Sequence, residues 1–276
     1  MALVPKFAHD RGQPVVSKTL EIVGNLDVHI VPANLKPKYQ RYISDLYKPR
    51  AEELGWKDKP GESDDDRLLR PEVVRAVALR AEDPQFVSRA QKLAPAWLAD
   101  HQAVDRDMVS VVLDTAARHG DQALFEQYWD AAKKETDEDL QRIILVGVGH
   151  FQNPAIMKVA FSRVLTNDID IRQSLAIFNS IAESEQITTV AFDFVKQNYD
   201  AFVAKLPTDF GALLPFVGFG YCDTQHAEEI ESYFKDRVEK FAGGPRNLSQ
   251  VVEAVRLCSV NKEANQPDVV DYLTKY

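Results

Sequence analysis

Six histidines and two cysteines are the residues of this chain with the widest chemical reach, and their spacing decides what they can do. Zinc hydrolysis chemistry calls for two histidines one helical turn apart and a carboxylate ligand, with a fourth position left open for water. None of His9, His29, His101, His119, His150 and His226 has a second histidine at that distance. His226-Ala227-Glu228-Glu229 comes nearest. By itself it reads as a helix-start histidine with acidic neighbours, a structural or solvated group. Cys222 precedes His226 by one helical turn, as a thiol and its base would, but no third group that orients the imidazole is visible. Gly147-Val148-Gly149 and Gly218-Phe219-Gly220 lack a third glycine, a preceding strand and the Lys-Ser/Thr of a phosphate loop, so they read as helix ends. Asp64-Asp65-Asp66 lacks the glycine and the later bidentate glutamate of a calcium loop, and suits the positive N-terminus of a helix better. No serine sits in a nucleophile elbow. The residues thus predict no catalytic group, no metal ligands and no cofactor site in this chain.

Composition narrows the partners. With 276 residues, 45% hydrophobic and 27% charged, the chain can bury a substantial core. A net charge of -9 and a pI near 5.2 give long-range attraction the wrong sign for nucleic acid or an anionic membrane. There is no apolar run of membrane-spanning length, and Met1 to Asp10 lacks the basic and apolar regions of a signal peptide. Cys222 and Cys258 show no C-x-x-C spacing, so reduced thiols in a helical core are the default, with a single bridge left open. A soluble, cytoplasmic chain is the expectation.

These residues must be positioned by helices. Val16, Leu20, Val23, Leu26 and Ile30 fit a helical face, although Leu20, Ile22, Leu26, Val28 and Ile30 also alternate as a strand would. Pro14 suits a helix start, and helix is predicted from Pro14 to Val31. A second helix runs from Leu35 to Leu54, which Pro49 should kink or break. Further helices are expected near 67–82, 84–100, 105–119, 121–134, 136–148, 153–164, 168–183, 185–206, 208–219, 223–240, 245–262 and 266–275. Asp83-Pro84, Asn153-Pro154, Pro207-Thr208 and Gly243-Gly244-Pro245 punctuate them. Pairs recur at the interval of helical repeats without a shared signature, which predicts an all-α fold: an irregular α-solenoid of paired antiparallel helices, HEAT- or armadillo-like, over a single domain 1–276. The abrupt, helix-like entry at Ala2–Ala8 is what a domain from a longer protein would show.

Two stretches carry more than periodicity. Ala191 to Asp200, Ala-Phe-Asp-Phe-Val-Lys-Gln-Asn-Tyr-Asp, reads as the middle of a long amphipathic helix with Phe194, Val195, Asn198, Phe202 and Leu206 inward. Pro49-Arg50, Leu54-Gly55-Trp56, Gly61-Glu62, Asp64 to Asp66 and Leu69-Arg70 read as a helix end, a turn and a helix start, with Trp56 expected to be buried as an anchor. Together with Ile171-Arg172-Gln173, Tyr233-Phe234, Gly243-Gly244-Pro245-Arg246, Gln250, Glu253 and Cys258, these resemble the C-terminal domain of zinc aminopeptidases of the aminopeptidase N, puromycin-sensitive and endoplasmic-reticulum aminopeptidase family. The resemblance runs from about Val15 to the last helix. It implies a bowl-shaped helical superhelix that is no enzyme alone, whose partners are the catalytic domain and peptide substrates. Such a domain encloses the substrate cavity and helps select peptide length. The zinc, H-E-x-x-H and G-x-M-E-N belong to the catalytic domain and not to this chain. Arg172 is the one candidate for an inward-facing charge. The competing expectation is a freestanding helical scaffold that binds a protein partner along a concave face.

Overall fold

Side chains that close helix starts stand where the sequence places breaks. Ser63, Asp83, Asp121, Asp137, Asn153, Asp170, Ser184 and Asp223 each accept a hydrogen bond from a backbone N–H of the helix that follows. Each bond satisfies a donor that the first turn would otherwise leave unpaired. A computed structural model describes residues 1–207 and 209–276, which are helical with no strand among the described residues. The elements are α1 (Gln13–Gly24), α2 (Lys36–Leu54), α3 (Asp64–Arg75), α4 (Pro84–Ala99), α5 (Val109–Arg118), α6 (Gln122–Lys134), α7 (Glu138–Val148), α8 (Pro154–Val164), α9 (Ile171–Ser174), α10 (Glu185–Gln197), α11 (Tyr199–Lys205), α12 (Thr224–Val238) and α13 (Gly244–Lys275).

The chain divides into two compact units, Met1–His119 with Asn265–Tyr276, and Gly120–Ala264. In the first, α2 and α3 pack together, as do α4 and α5. Tyr39, Tyr42 and Tyr47 on α2 are fully buried, which is tolerable because each hydroxyl has a partner. Tyr39 donates to Val23 O at 2.7 Å, Tyr42 to Met1 O at 3.0 Å and Tyr47 to Thr19 Oγ1 at 2.8 Å. Burial raises the pKa of all three phenols. Tyr42 also packs edge-on against Tyr272 and Tyr276 of α13 and the residue after it. In the second unit α6 pairs with α7 and α8 with α10. Phe125, Tyr128, Phe151, Phe161 and Phe192 fill its core.

Several expected boundaries move, each for a local reason. The helix expected over Pro14–Val31 forms but ends at Gly24, with Val16, Leu20 and Val23 buried and Ile22 exposed, so the helical period wins over the alternating one. Arg80 Nη1 takes the Leu20 carbonyl, and its guanidinium occupies the space where a side chain at position 24 would stand. Pro49 does not break α2, which runs through it. The helix expected over 168–183 is three short pieces, α9 and the 3-10 turns Leu175–Asn179 and Ile181–Glu183. There Ser174 Oγ, Ser180 Oγ and Thr188 Oγ1 donate to the Asp170, Val146 and Ile181 carbonyls, bonds that compete with a regular helix. The long helix expected over 185–206 bends at Asn198 (φ -120°), whose Nδ2 donates to Phe194 O at 2.9 Å. Phe210–Gly218 is 3-10 rather than α, and the Thr208 of the Pro207-Thr208 break lies outside the described residues. The two helices expected over 245–262 and 266–275 are one, α13, with Pro267 inside it. Trp56, expected to be substantially buried, is half-buried, its ring 5.8 Å from Phe86.

Gly149, in the Gly147-Val148-Gly149 stretch read as a helix end, has a packing role. A Cβ there would lie 2.3 Å from Ile177 O, a backbone atom that cannot rotate away. Gly149→Ala should therefore destabilise the chain by about 1–3 kcal/mol through forced displacement of the Leu175–Asn179 turn. Urea unfolding followed by circular dichroism measures it, and an unchanged midpoint would refute the close approach.

Candidate functional site

The most specific segment of the sequence forms a charged joint in the first unit. Gly55, at φ 71°, ends α2 in a conformation that side chains disfavour, and Gly61, at φ 76°, turns the link toward α3. Arg70 enters from α3 with only 1% of its side chain exposed. Its Nε donates to Leu54 O at 3.2 Å, one of the carbonyls left open at the end of α2, while Nη1 and Nη2 pair with Asp58 and Glu62. Arg50 pairs with Glu53 and Asp66 beside it. The three aspartates lie in the first turn of α3 behind the Ser63 cap, which is the electrostatic placement expected of them. These residues fasten a helix end to a helix start, and none of them is poised to react.

The stretch from Ala191 to Asp200 holds a second structural cluster. Ala191, Phe192, Val195 and Tyr199 are buried, Phe194 and Asn198 are half-buried, and Gln197 and Asp200 are exposed. Phe202 and Leu206 continue the buried stripe beyond the bend. Tyr199 and Tyr233 donate to the backbone oxygens of Arg237 and Lys196, each at 3.0 Å, and so tie α10 and α11 to α12. The Arg237 guanidinium lies 4.1 Å from the Tyr233 ring centroid, and Lys196 pairs with Glu229 at 2.5 Å over the Phe192 ring.

Several of the residues with chemical reach have other partners. His9 is exposed, His101 stacks on Trp97, and His150 is buried with Nδ1 3.4 Å from Glu183 Oε2. Burial lowers the pKa of His119. Cys222 is not a free thiol. It forms a disulfide with Cys258 (Cα–Cα 5.0 Å), which corrects the expectation of reduced cysteines and removes the support they gave to a cytoplasmic location. Cys222 therefore presents no thiol to His226, which stacks on Tyr221 at 3.8 Å and binds Asp223 Oδ2 through Nδ1 at 2.6 Å. Burial raises the Asp223 pKa, but its bonds to the His226 backbone and ring outweigh that and leave the carboxyl below its usual value. Burial pushes the Tyr221 phenol up to about 12. Gly218 lies against Ile230, and Gly220 against Thr188 and Ala182, so both serve close packing.

Several concavities are open in the second unit, and two of them contrast in chemistry. One, of about 400 Å³, is walled by Phe178, Phe202, Phe210, Leu213 and Phe216 with the Asn179 carboxamide at its edge. Its chemistry suits an apolar group, since among the described residues no charged side chain lines it. The other, of about 560 Å³, lies between α12 and α13 and has charged walls that include Glu231, Lys235 and Arg256. Neither was legible in the sequence, because each draws its walls from residues far apart in the chain. Arg172, the candidate inward-facing charge, is exposed and chelated by Asp170 two residues away.

A family model described as the ERAP1-like C-terminal domain matches residues 1–257, and the chain belongs to that family. Over 234 residues it is 24% identical to a glutamyl aminopeptidase of Bitis rhinoceros, covering 80% of this chain and 23% of that protein. It is 23% identical over 257 residues to aminopeptidase M1 of Arabidopsis thaliana (85% and 28%), and 20% identical over 229 residues to the mitochondrial aminopeptidase 2 of Saccharomyces cerevisiae (81% and 24%). The chain thus spans about a quarter of the length of the curated relatives it matches. No helix among the described residues is long and apolar enough to cross a membrane.

Asp170 offers a pH readout of the α9 start. The hydrogen bonds from the Arg172 side chain, then from its backbone N–H, hold the carboxyl at about 2. A folded-state value below the unfolded one, about 3.9 for a free aspartate, means that the capping contribution is present above the unfolded value and lost as pH falls through 2. In an NMR titration Asp170 should change protonation near 2, and Arg172→Gln should move it back toward the ordinary carboxylate range. A midpoint near 4 in the unaltered chain would show that the chelate does not form in solution.

Proposed function

We propose that this chain is the non-catalytic C-terminal part of a zinc aminopeptidase, acting by walling the substrate cavity, restricting which peptide lengths fit, and stabilising the catalytic part. The observation that carries this reading is the family match over residues 1–257 in a chain that aligns with only a quarter of each aminopeptidase relative. The same model spans both compact units, which supports treating residues 1–276 as one domain in function. Sequence-adjacent helix pairs such as α2 with α3, α4 with α5 and α6 with α7 are the units from which an irregular solenoid, bowl-shaped in the assembled enzyme, would be built.

The mechanism is steric and electrostatic rather than chemical. The sequence supplies no H-E-x-x-H, so the zinc that activates water would be held by histidines and a glutamate elsewhere in the protein. What this chain contributes is a rigid helical wall that excludes bulk water from the reacting peptide and limits the room for its distal end. Contacts between domains of this kind bury roughly 600–1,500 Å², enough to position the wall and small enough to let it open.

Peptide length is the discriminating variable. The kcat/KM for a dipeptide-like substrate and for an about ten-residue substrate should be compared in the intact enzyme, in the enzyme lacking residues 1–276, and in that truncated enzyme with the chain added back. The truncated form should be poorly stable and should favour the short substrate, and the added chain should partly restore the long-peptide preference. If the ratio is the same in all three, the domain does not select length and a protein-binding scaffold becomes the better account.

A further inference from the structure

The Cys222–Cys258 bridge closes a loop of 36 residues in the second unit, and its two ends differ in access. Cys222 is 3% exposed, in the link between the Phe210–Gly218 turn and α12. Cys258 is half-buried in the middle of α13, beside Leu257, which is 60% exposed. The link that carries Cys222 is densely fitted. Gly220 leaves no room for a Cβ between Thr188 Oγ1 and Ala182 Cα, and Tyr221 packs edge-on against Phe192 at 5.7 Å while stacking on His226. Asp223 then caps α12, with Oδ1 accepting from His226 N at 2.8 Å. The bridge therefore fastens to α13 the short segment that sets where α12 begins. A polar link between the same two helices, Arg256 with Glu231 at 2.8 Å, is about half exposed on both sides and screened by solvent.

We propose that this bridge is a redox-sensitive staple, opened by a dithiol reductant, that holds the start of α12 on α13 and so fixes the walls of the groove between them. Access gives the direction of attack. A reductant thiolate forms a bond to Cys258 Sγ, the S–S bond breaks, and its electron pair leaves on the buried Cys222 sulfur, which takes up a proton. The reductant's second thiol then closes on the mixed disulfide, releasing Cys258 as a thiolate and leaving the reductant as its own disulfide. Two electrons pass from the dithiol to the bridge, and both cysteines end as thiols. With the staple open, the groove lined by Lys235, Leu248, Val252 and Arg256 loses its covalent limit on width. This inference concerns the second unit alone and holds whether or not the chain selects peptide length.

The test uses the full chain under native conditions in buffers of graded reduced to oxidised dithiothreitol, with alkylation and mass counting of free thiols and with hydrogen exchange read by segment. The bridge should open within the range of those buffers while the chain stays folded. Exchange at 219–232 and 250–262 should then rise tenfold or more, with α6, α7 and α8 keeping their protection. Cys258→Ser should exchange as the reduced chain does, and the oxidised and reduced forms of the unaltered chain give the same comparison should that variant fold poorly. Three results would overturn the proposal: a bridge that resists dithiothreitol until the whole chain unfolds, reduction that unfolds the whole chain, or reduction that leaves exchange unchanged.

Discussion

A guanidinium with 1% exposure is the constraint from which the order of the first unit follows. Arg70 cannot be buried there unless its donors are matched, and the matching groups come from three different places: the open carbonyl at the end of α2, Asp58 in the link and Glu62 before α3. Each partner is local in sequence, within sixteen residues of Arg70. The joint is therefore specified by a short segment, and the two positive-φ glycines allow the chain to fold back quickly enough to assemble it. A lysine could not replace the arginine, because a single ammonium lacks the fork that reaches three directions at once.

That locality explains which features were legible. Helix starts at Pro84, Gln122, Pro154, Glu185 and Thr224 were placed within a residue or two of where they stand, since a cap is decided by the residue in front of the helix. Features settled by partners distant in the chain were not. The spacing of Cys222 and Cys258 left a bridge open without selecting it, because sequence separation does not report whether two sulfurs meet. Asn198 and Ser180 donate to carbonyls where expected helices are interrupted, and nothing in hydrophobic periodicity records a polar side chain's choice of acceptor. A break was expected between the helices at 245–262 and 266–275, yet α13 runs on through Pro267. The residues after it, Val269 and Leu273, are buried, and their packing offsets the hydrogen bond that the proline removes.

The same division holds for function. The residue types that were searched for chemistry have packing roles in the structure: His226 stacks on Tyr221 and bonds Asp223, Cys222 is bonded to Cys258, and Gly149 and Gly220 make room. The stretches that carried the resemblance, from Pro49 to Arg70 and from Ala191 to Asp200, are joints between helices. The open concavities were beyond sequence reading because their walls come from several elements, Leu175 to Leu206 to Val217 in the apolar one.

The claim that these marker residues are structural is tested most directly by a double-mutant cycle on Arg70 and Glu62, read as unfolding free energy of the full chain in urea. Removing one partner strands the other in a site that excludes water, so each single alanine substitution should cost about 3–5 kcal/mol. The double variant should cost clearly less than the sum, leaving a coupling of about 2 kcal/mol or more, within the range for residues in direct contact. Single losses below about 1 kcal/mol with no coupling, within the range of exposed pairs, would contradict the account and free Arg70 for another role.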